Sequence, residues 1–438
     1  MRMAKKQQME LPPIEFVGGG ETEESRAVNL QMVLPSVGFP AMAYLLFDLV
    51  VSRVDLALLD FLPNGVVVRF QIDGVWHDQS PMDRETGDYL LASLKQLVGT
   101  DYRERRARQQ GQALAIVQFK KYPFRVVTQG VATGERVAIY VDRKRGTLDN
   151  LNQLGMRPKM LTEVQQILGL DQGLVLCCGM PNEGYTSTWR GVLGTCDRYV
   201  RDHFLVEDEA LSEPEVINYS VVKYRSRDGE HPFTHMPSML LREPHVIAFA
   251  EIPDGETLNR ICQLMREKQL LIITRIMAGH AVEALARLAM LKPDLKRLAD
   301  SLTAVIASRV VRKLCTTCRQ SYQPSPEMLQ RLGIPPGRVR EFFTATTFQP
   351  GQVDENGQEI LPCPDCMGYG YCERIGVFEL LRINDVWKRK LLESPRVDAL
   401  MAAAREARHT TMRDEAVALV AKGVTSMEEV QRVFARKK

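Results

Sequence analysis

A chain of 438 residues with 45% hydrophobic and 25% charged residues has the composition of a folded globular protein and is neither collagen-like, mucin-like nor wholly disordered. Its 57 lysines and arginines nearly balance 54 aspartates and glutamates, and a net charge of +3 supplies no general attraction to nucleic acid or to an anionic membrane. The length predicts two or three domains.

Residues 1–38 open with a basic stretch that runs into Gln7, Gln8, Met9 and Glu10 and not into an apolar core, so no secretory signal is expected. Gly18-Gly19-Gly20 and the acidic residues after it show little apolar periodicity, which predicts a flexible leader that adds little to a core. The uncharged stretch 29–47 contains Pro35 and Pro40 and makes a poor membrane span. Its second half places Met42, Leu45, Leu46 and Leu49 on one helical face, with Pro40 near the start. That helix opens a predicted α+β domain over 39–146. Asn64-Gly65 and Asp73-Gly74 bracket a strand at 66–72, a charged helix is expected over 93–108, and strands at 124–131 and 136–141 complete the unit.

A linker with Asn150, Asn152 and Gly155 is expected over 147–160. Over 161–312, helix patterns alternate with the apolar runs 174–178, 246–250 and 270–273, which predicts a mainly parallel, doubly wound α/β sheet. Residues 313–383 read as a loop-rich lobe and 384–438 as helical, with Gly423 ending one helix and Thr425-x-x-Glu428 capping the last.

Five of the nine cysteines lie between Cys315 and Cys372. Cys315-Thr-Thr-Cys318 and Cys363-Pro-Asp-Cys366 have the spacing of a tetrahedral thiolate site, and four sulfur ligands leave no open position, so structural Zn²⁺ is expected and the chain is expected in a reducing cytosol. Cys372 reads as a packing residue. The apolar run 174–178 followed by Gly179-Met180-Pro181-Asn182-Glu183-Gly184-Tyr185-Thr186 is a phosphate-loop pattern with one residue changed: Gly179, Gly184 and Thr186 fit, while Tyr185 stands where the pattern needs lysine. Tyrosine supplies no cation to a phosphate, and the Glu183 carboxylate opposes one. The segment therefore reads either as a nucleotide site or as a plain βα turn. Glu207, Asp208 and Glu251 fall at the carboxyl ends of apolar strands, where ligands meet an open α/β sheet. Arg103, Arg105, Arg106 and Arg108 read as a solvated helix face.

Several further segments resemble the secretion and pilus-assembly ATPases of type II secretion and type IV pili. Residues 68–75 resemble the family's R-x-R-I-D-G-V, Arg125-Val126-Val127-Thr128 its R-V-S-T, Val206-Glu207-Asp208 its acidic box, and Leu241-Arg242-Glu243-Pro244 through Ala250-Glu251-Ile252 its Walker B stretch. The two cysteine pairs with Gly368-Tyr369-Gly370-Tyr371 resemble the secretion-type zinc lobe, and Thr411-Met412-Arg413-Asp414-Glu415 the closing motif. The resemblance implies a sensor-like (PAS-like) N-terminal domain, a RecA-like P-loop NTPase-type domain, a zinc lobe and C-terminal helices. It implies a hexameric cytoplasmic motor, peripheral at the inner membrane, that uses ATP and Mg²⁺ and acts on a membrane platform protein, with no nucleic acid as partner. Glu207, Glu251 and Arg125 take the catalytic positions; Gly179, Gly184, Tyr185 and Thr186 the nucleotide-binding ones.

The departures from the family pattern fall on the chemistry. Lysine is Tyr185, the histidine of the family's histidine box is Met277, and the arginine ending one N-terminal strand is Tyr140. The expectation is a degenerate member with weak or absent ATP hydrolysis, acting as a ring or regulatory component. The alternatives are an active ATPase whose cation comes from Arg190, Arg275 or a neighbouring subunit's Arg125, and a zinc-containing binding module without motor lineage.

Overall fold

The computed structural model describes residues 11–143, 149–213, 215–335, 337–348, 352–353, 357–358 and 360–435. They separate into two units, one within residues 1–146 and the other within 147–438.

The first unit begins with β1 (Glu15–Val17) and α1 (Glu23–Val33), where the sequence reading expects a flexible leader. β1 pairs antiparallel with β5 (Gln109–Val117) and buries Phe16, and Thr22 caps α1 by accepting from the Ser25 amide at 3.1 Å. The glycines between them are a tight passage. A Cβ on Gly19 would lie 2.3 Å from the Gln112 carbonyl oxygen, so only a residue without a side chain lets the backbone pass. In α2 (Phe39–Val51), Met42, Leu45, Leu46 and Leu49 are all buried, as the helical spacing predicts. β2 (Val54–Leu62), β3 (Gly65–Ile72) and β4 (Val75–Asp78) follow, and α3 (Arg84–Leu97) precedes β5, β6 (Lys120–Val131) and β7 (Gly134–Val141). Asp73 and Gly74 take φ of 49° and 82°, the mirror-image turn that suits a two-residue hairpin between β3 and β4. The sheet order is β1-β5-β6-β7-β2-β3-β4, antiparallel throughout.

The expected helix over 93–108 is displaced: α3 ends at Leu97, and the arginine cluster lies in a loop. Gly99 has φ 75°, and the Asp101 and Glu104 carboxylates accept from the amides of Arg103, Arg106 and Ala107, local bonds that compete with a helix.

In the second unit, α4 (Pro158–Leu168) leads to β8 (Gly173–Gly179), α5 (Tyr185–Thr195), β9 (His203–Asp208), β10 (Tyr219–Tyr224), α6 (Met236–Leu240), β11 (Val246–Phe249), α7 (Gly255–Lys268), β12 (Leu271–Met277), α8 (Ala281–Met290), α9 (Leu295–Ser301) and β13 (Leu302–Leu314). β14 (Gln320–Tyr322), α10 (Pro326–Arg331) and β15 (Phe342–Thr344) form a side lobe before β16 (Tyr371–Arg382). The chain ends in α11 (Asp385–Glu393), α12 (Val397–Glu406), α13 (Met412–Ala421) and α14 (Met427–Phe434). The sheet order is β10-β9-β11-β12-β8-β13-β16; only the β13–β16 pair is antiparallel.

Every residue of β8 is buried, the signature of a strand covered on both faces. Leu174, Leu176 and Cys178 pack with α7, α8 and the C-terminal helices; Val175 and Cys177 pack with Trp189, Val192 and Leu193 of α5 and with α4. β16 joins this sheet although the sequence reading grouped it with the loop-rich lobe, because Val377 and Phe378 supply one apolar residue to each face. The last helix starts one residue later than expected: Ser426 caps α14 through the Glu429 amide, while the Thr425 hydroxyl donates to the Arg312 carbonyl at 2.8 Å.

Candidate functional site

Parallel strands bring their carboxyl ends to one edge of the second sheet. β8 stops at Gly179, and the turn 180–184 leads into α5 with Asn182 at φ 63° and Gly184 at φ 96°. Gly184 is required there, since its conformation disfavours any side chain and a Cβ would stand 3.0 Å from Val310. The first amides of an eleven-residue helix then face the edge, an arrangement that favours an anion. The Thr188 hydroxyl donates to the buried Ser308 hydroxyl at 2.7 Å and holds the first turn of α5 to β13.

Tyr185 fills the lysine position. Burial pushes its hydroxyl pKa well up despite the Arg275 charge beside it, so it carries no charge at neutral pH. The Arg275 guanidinium of β12 lies 5.0 Å from the Tyr185 ring centroid and 5.2 Å from that of Trp189, one helical turn on. Its Nε donates to the Ala250 carbonyl at 2.9 Å and its Nη1 to Glu213 Oε1 at 2.6 Å. Thr186 Oγ1 is 3.4 Å from the same carboxylate oxygen. Glu183, in the turn, pairs with Arg309 Nε at 3.5 Å.

Glu207, the penultimate residue of β9, is buried and accepts from Ser212 Oγ at 2.7 Å. Asp208 follows it, and hydrogen bonds from Ser226 and the Ala210 amide hold its carboxyl below the usual range. Glu251 lies two residues beyond β11. Burial raises its pKa; Arg275 opposes the shift, and the Asp208, Glu213 and Glu207 carboxylates reinforce it. Met277 pairs with Gly179 across β12–β8 and borders the turn with a half-exposed thioether. His280 caps α8 by accepting from the Glu283 amide at 3.2 Å.

The edge thus gathers Gly179, Gly184, Tyr185, Thr186, Glu207, Glu251 and Arg275. Arg190 points elsewhere, to Asp149 at 3.4 Å. Arg125 belongs to β6 of the first unit and stacks on Tyr140, its cross-strand partner, at 4.3 Å. Sequence reasoning missed Glu213 and Trp189. Trp189 was legible as the residue four beyond Tyr185 on one helix face; Glu213 sits in an irregular segment with no motif to mark it.

A second centre lies in the side lobe. The sulfurs of Cys315, Cys318, Cys363 and Cys366 all lie within 4.8 Å of one another, with Cys315–Cys363 at 3.8 Å and Cys318–Cys366 at 3.6 Å. Zn–S bonds of about 2.3 Å in a tetrahedron need sulfur separations of about 3.8 Å, so the set could hold zinc. Burial would raise the Cys315 pKa, but the amides of Cys318 and Thr317 and the neighbouring thiols bring it down to about 7. The Gly370 amide donates to Cys366 Sγ at 3.2 Å, the outer support that thiolate ligands use. Cys372 stands apart from the group and donates to the Asp365 carbonyl at 3.4 Å.

A family model described as "Type II/IV secretion system protein" matches residues 45–432. The "Type II secretion system protein HxcR" of Pseudomonas aeruginosa is 27% identical over 368 residues, which are 84% of this chain and 71% of that protein. The "Protein transport protein HofB homolog" of Escherichia coli is 29% identical over 371 residues, 85% of this chain and 76% of the relative. Among solved structures, the Legionella pneumophila ATPase DotB superposes with a TM-score of 0.53 at 13% identity, covering 91% of this chain and 96% of DotB, a likeness of fold. Among the described residues no helix is long and apolar enough to cross a membrane.

Proposed function

Because this chain belongs to the type II/IV secretion system protein family, we propose that it is a degenerate motor subunit of type II secretion or type IV pilus assembly, with weak or absent ATP hydrolysis, acting as a ring or regulatory component. In this reading residues 161–312 are a RecA-like, doubly wound domain, 39–146 a PAS-like domain joined to it by a linker at 147–160, 313–383 a zinc lobe and 384–438 a helical tail. The protein works in the cytoplasm, at the inner membrane, in a homo- or hetero-hexamer beside a membrane platform protein.

The observation that carries the reading is Tyr185. A lysine there would be a compact cation for the outer phosphates; a neutral phenol is not, and the guanidinium stacked on it, Arg275, already faces Glu213. Losing one charge-assisted contact costs about 1.5–3 kcal/mol, roughly ten- to 150-fold in affinity. If ATP is held at all, the amides after Gly184 and the Thr186 hydroxyl would cradle phosphate and Mg²⁺, and Glu207 and Glu251 would lie near the water. The zinc set acts structurally.

Calorimetry of Mg-ATP with the zinc-replete chain, beside the double variant Tyr185→Lys, Glu183→Ser, tests this. Binding absent in the native chain and restored in the variant supports the reading; tight native binding with turnover overturns it. A second reading, an active ATPase that uses Arg275 as its phosphate cation, draws on the 5.0 Å approach of Arg275 to Tyr185. It requires turnover that Glu251→Gln abolishes.

A further inference from the structure

The Arg275 guanidinium is a buried charge, 6% exposed, held at three points: the Ala250 carbonyl, the two aromatic faces of Tyr185 and Trp189, and Glu213. A carbonyl dipole and ring faces do not neutralise a desolvated cation; an anion must. The anion present is the chain's own. Glu213 Oε1 sits 2.6 Å from Arg275 Nη1 and 3.4 Å from Thr186 Oγ1, at the second residue of α5. A negatively charged oxygen between a fixed guanidinium, a hydroxyl and the first turn of a helix has the surroundings that a phosphate oxygen would require.

We infer that the Glu213 carboxylate is an internal stand-in for phosphate, a latch that must leave Arg275 and Thr186 before the outer phosphates of a nucleotide can occupy this edge. The inference rests on reading the edge as a phosphate site of nucleotide lineage, and it adds a competitor to the missing lysine as a cause of weak binding. Two further observations favour a latch over a permanent structural pair. Glu213 Oε2 is buried with no hydrogen-bond partner among the described residues, so the carboxylate satisfies the pocket with one oxygen and leaves the other unmet. Glu213 also lies outside any helix or strand, between the short turn Glu209–Leu211 and β10, and its side chain remains one-fifth exposed, so a rotamer change can release it without breaking the sheet.

Calorimetric titration of the full, zinc-replete chain with Mg-ATP, and separately with inorganic pyrophosphate, tests the latch. Glu213→Gln keeps the shape and removes the competing charge, and should raise affinity for both ligands by roughly tenfold or more over native. Adding Arg275→Gln should cancel the gain. An unchanged affinity in Glu213→Gln overturns the inference, as does a gain that survives Arg275→Gln or a gain for Mg-ATP without one for pyrophosphate. Glu213→Ala, read the same way, keeps the test decisive if the glutamine variant fails to fold. Native turnover is measured in parallel: tight native binding with turnover that Glu251→Gln abolishes sinks the degenerate-motor reading whatever the affinity ratio, and an affinity ratio near one sinks the latch whatever the turnover.

Discussion

Arg275 and Tyr185 face each other across the sheet edge at 5.0 Å, the cation from β12 and the ring from the first residue of α5. The aromatic ring that stands where the phosphate-loop pattern calls for lysine is therefore half of a stacking site for a cation.

Tyr185→Phe preserves the ring face over Arg275 and should leave thermal stability within experimental error. Tyr185→Ala removes that face and should cost about 0.5–2 kcal/mol or somewhat more, read as a lower urea midpoint. Equal loss in both variants would mean that the hydroxyl, and not the stack, matters.

Glu251 has a raised pKa, first because it is partly buried and then because three carboxylates stand near it. A carboxyl raised in the folded state contributes stability below its unfolded pKa and loses it as pH rises through the folded value. Glu251→Gln should therefore stabilise the chain at pH 8 and change little at pH 4. Melting curves at the two pH values decide; a larger gain at pH 4 would contradict the shift.

Glu429 is the opposite case. Burial alone would raise its pKa, but hydrogen bonds from Arg432 and Arg312, at 2.7 Å each, lower it to about 2. Such a carboxylate contributes stability above its unfolded pKa that is lost as pH falls through about 2, an amount on the order of 3 kcal/mol. Acid should loosen α14 from β13 between pH 4.5 and 2. Hydrogen exchange of residues 427–434 should report this, and Glu429→Gln should show the same loosening at pH 7.

Purified protein should carry one zinc per chain by elemental analysis, and Cys315→Ser or Cys363→Ser should lose it with a fall in melting temperature. Retention of a full equivalent by either variant would refute the four-thiolate site.

In the first unit Lys95 and Glu135 form an ion pair at 2.5 Å, with the side chains 0% and 3% exposed. Lys95→Ala, which strands a buried carboxylate, should cost about 3–5 kcal/mol, whereas Lys95→Met with Glu135→Leu should come close to neutral. Denaturant unfolding of the single and double variants measures the difference.

What the sequence revealed was local. The turn between β8 and α5 could be read because its glycines, the apolar run before it and the helix after it are contiguous, and the four cysteines because metal-ligand spacing is short-range. The Glu213–Arg275 contact joins residues 62 positions apart, and nothing in either segment announces the other. Gly18-Gly19-Gly20 was misread because a glycine run that permits motion and one that permits close approach look alike until the Gln112 carbonyl is seen beside Gly19. Thr425 and Ser426 are adjacent hydroxyls, either fit to cap a helix; the Arg312 carbonyl engages the first and leaves the second to α14.

The side lobe leaves the sheet after Leu314 and returns at Tyr371, and those two residues are paired in the β13–β16 ladder. The Cys315 amide donates to the Gly370 carbonyl at 3.0 Å, so the whole excursion has a neck one residue pair wide, with the four thiols clasping it just outside. Beyond the neck the lobe is fastened to the body a second time: Phe342 of β15 is fully buried in the core cluster that includes Leu381 and Val420, and the Arg319 guanidinium donates to the Gly423 carbonyl. The thiolate neck and the buried Phe342 therefore act as two hinge-points of one lever, and a side lobe held at both passes a disturbance at its cysteines on to the helices that cover the second sheet.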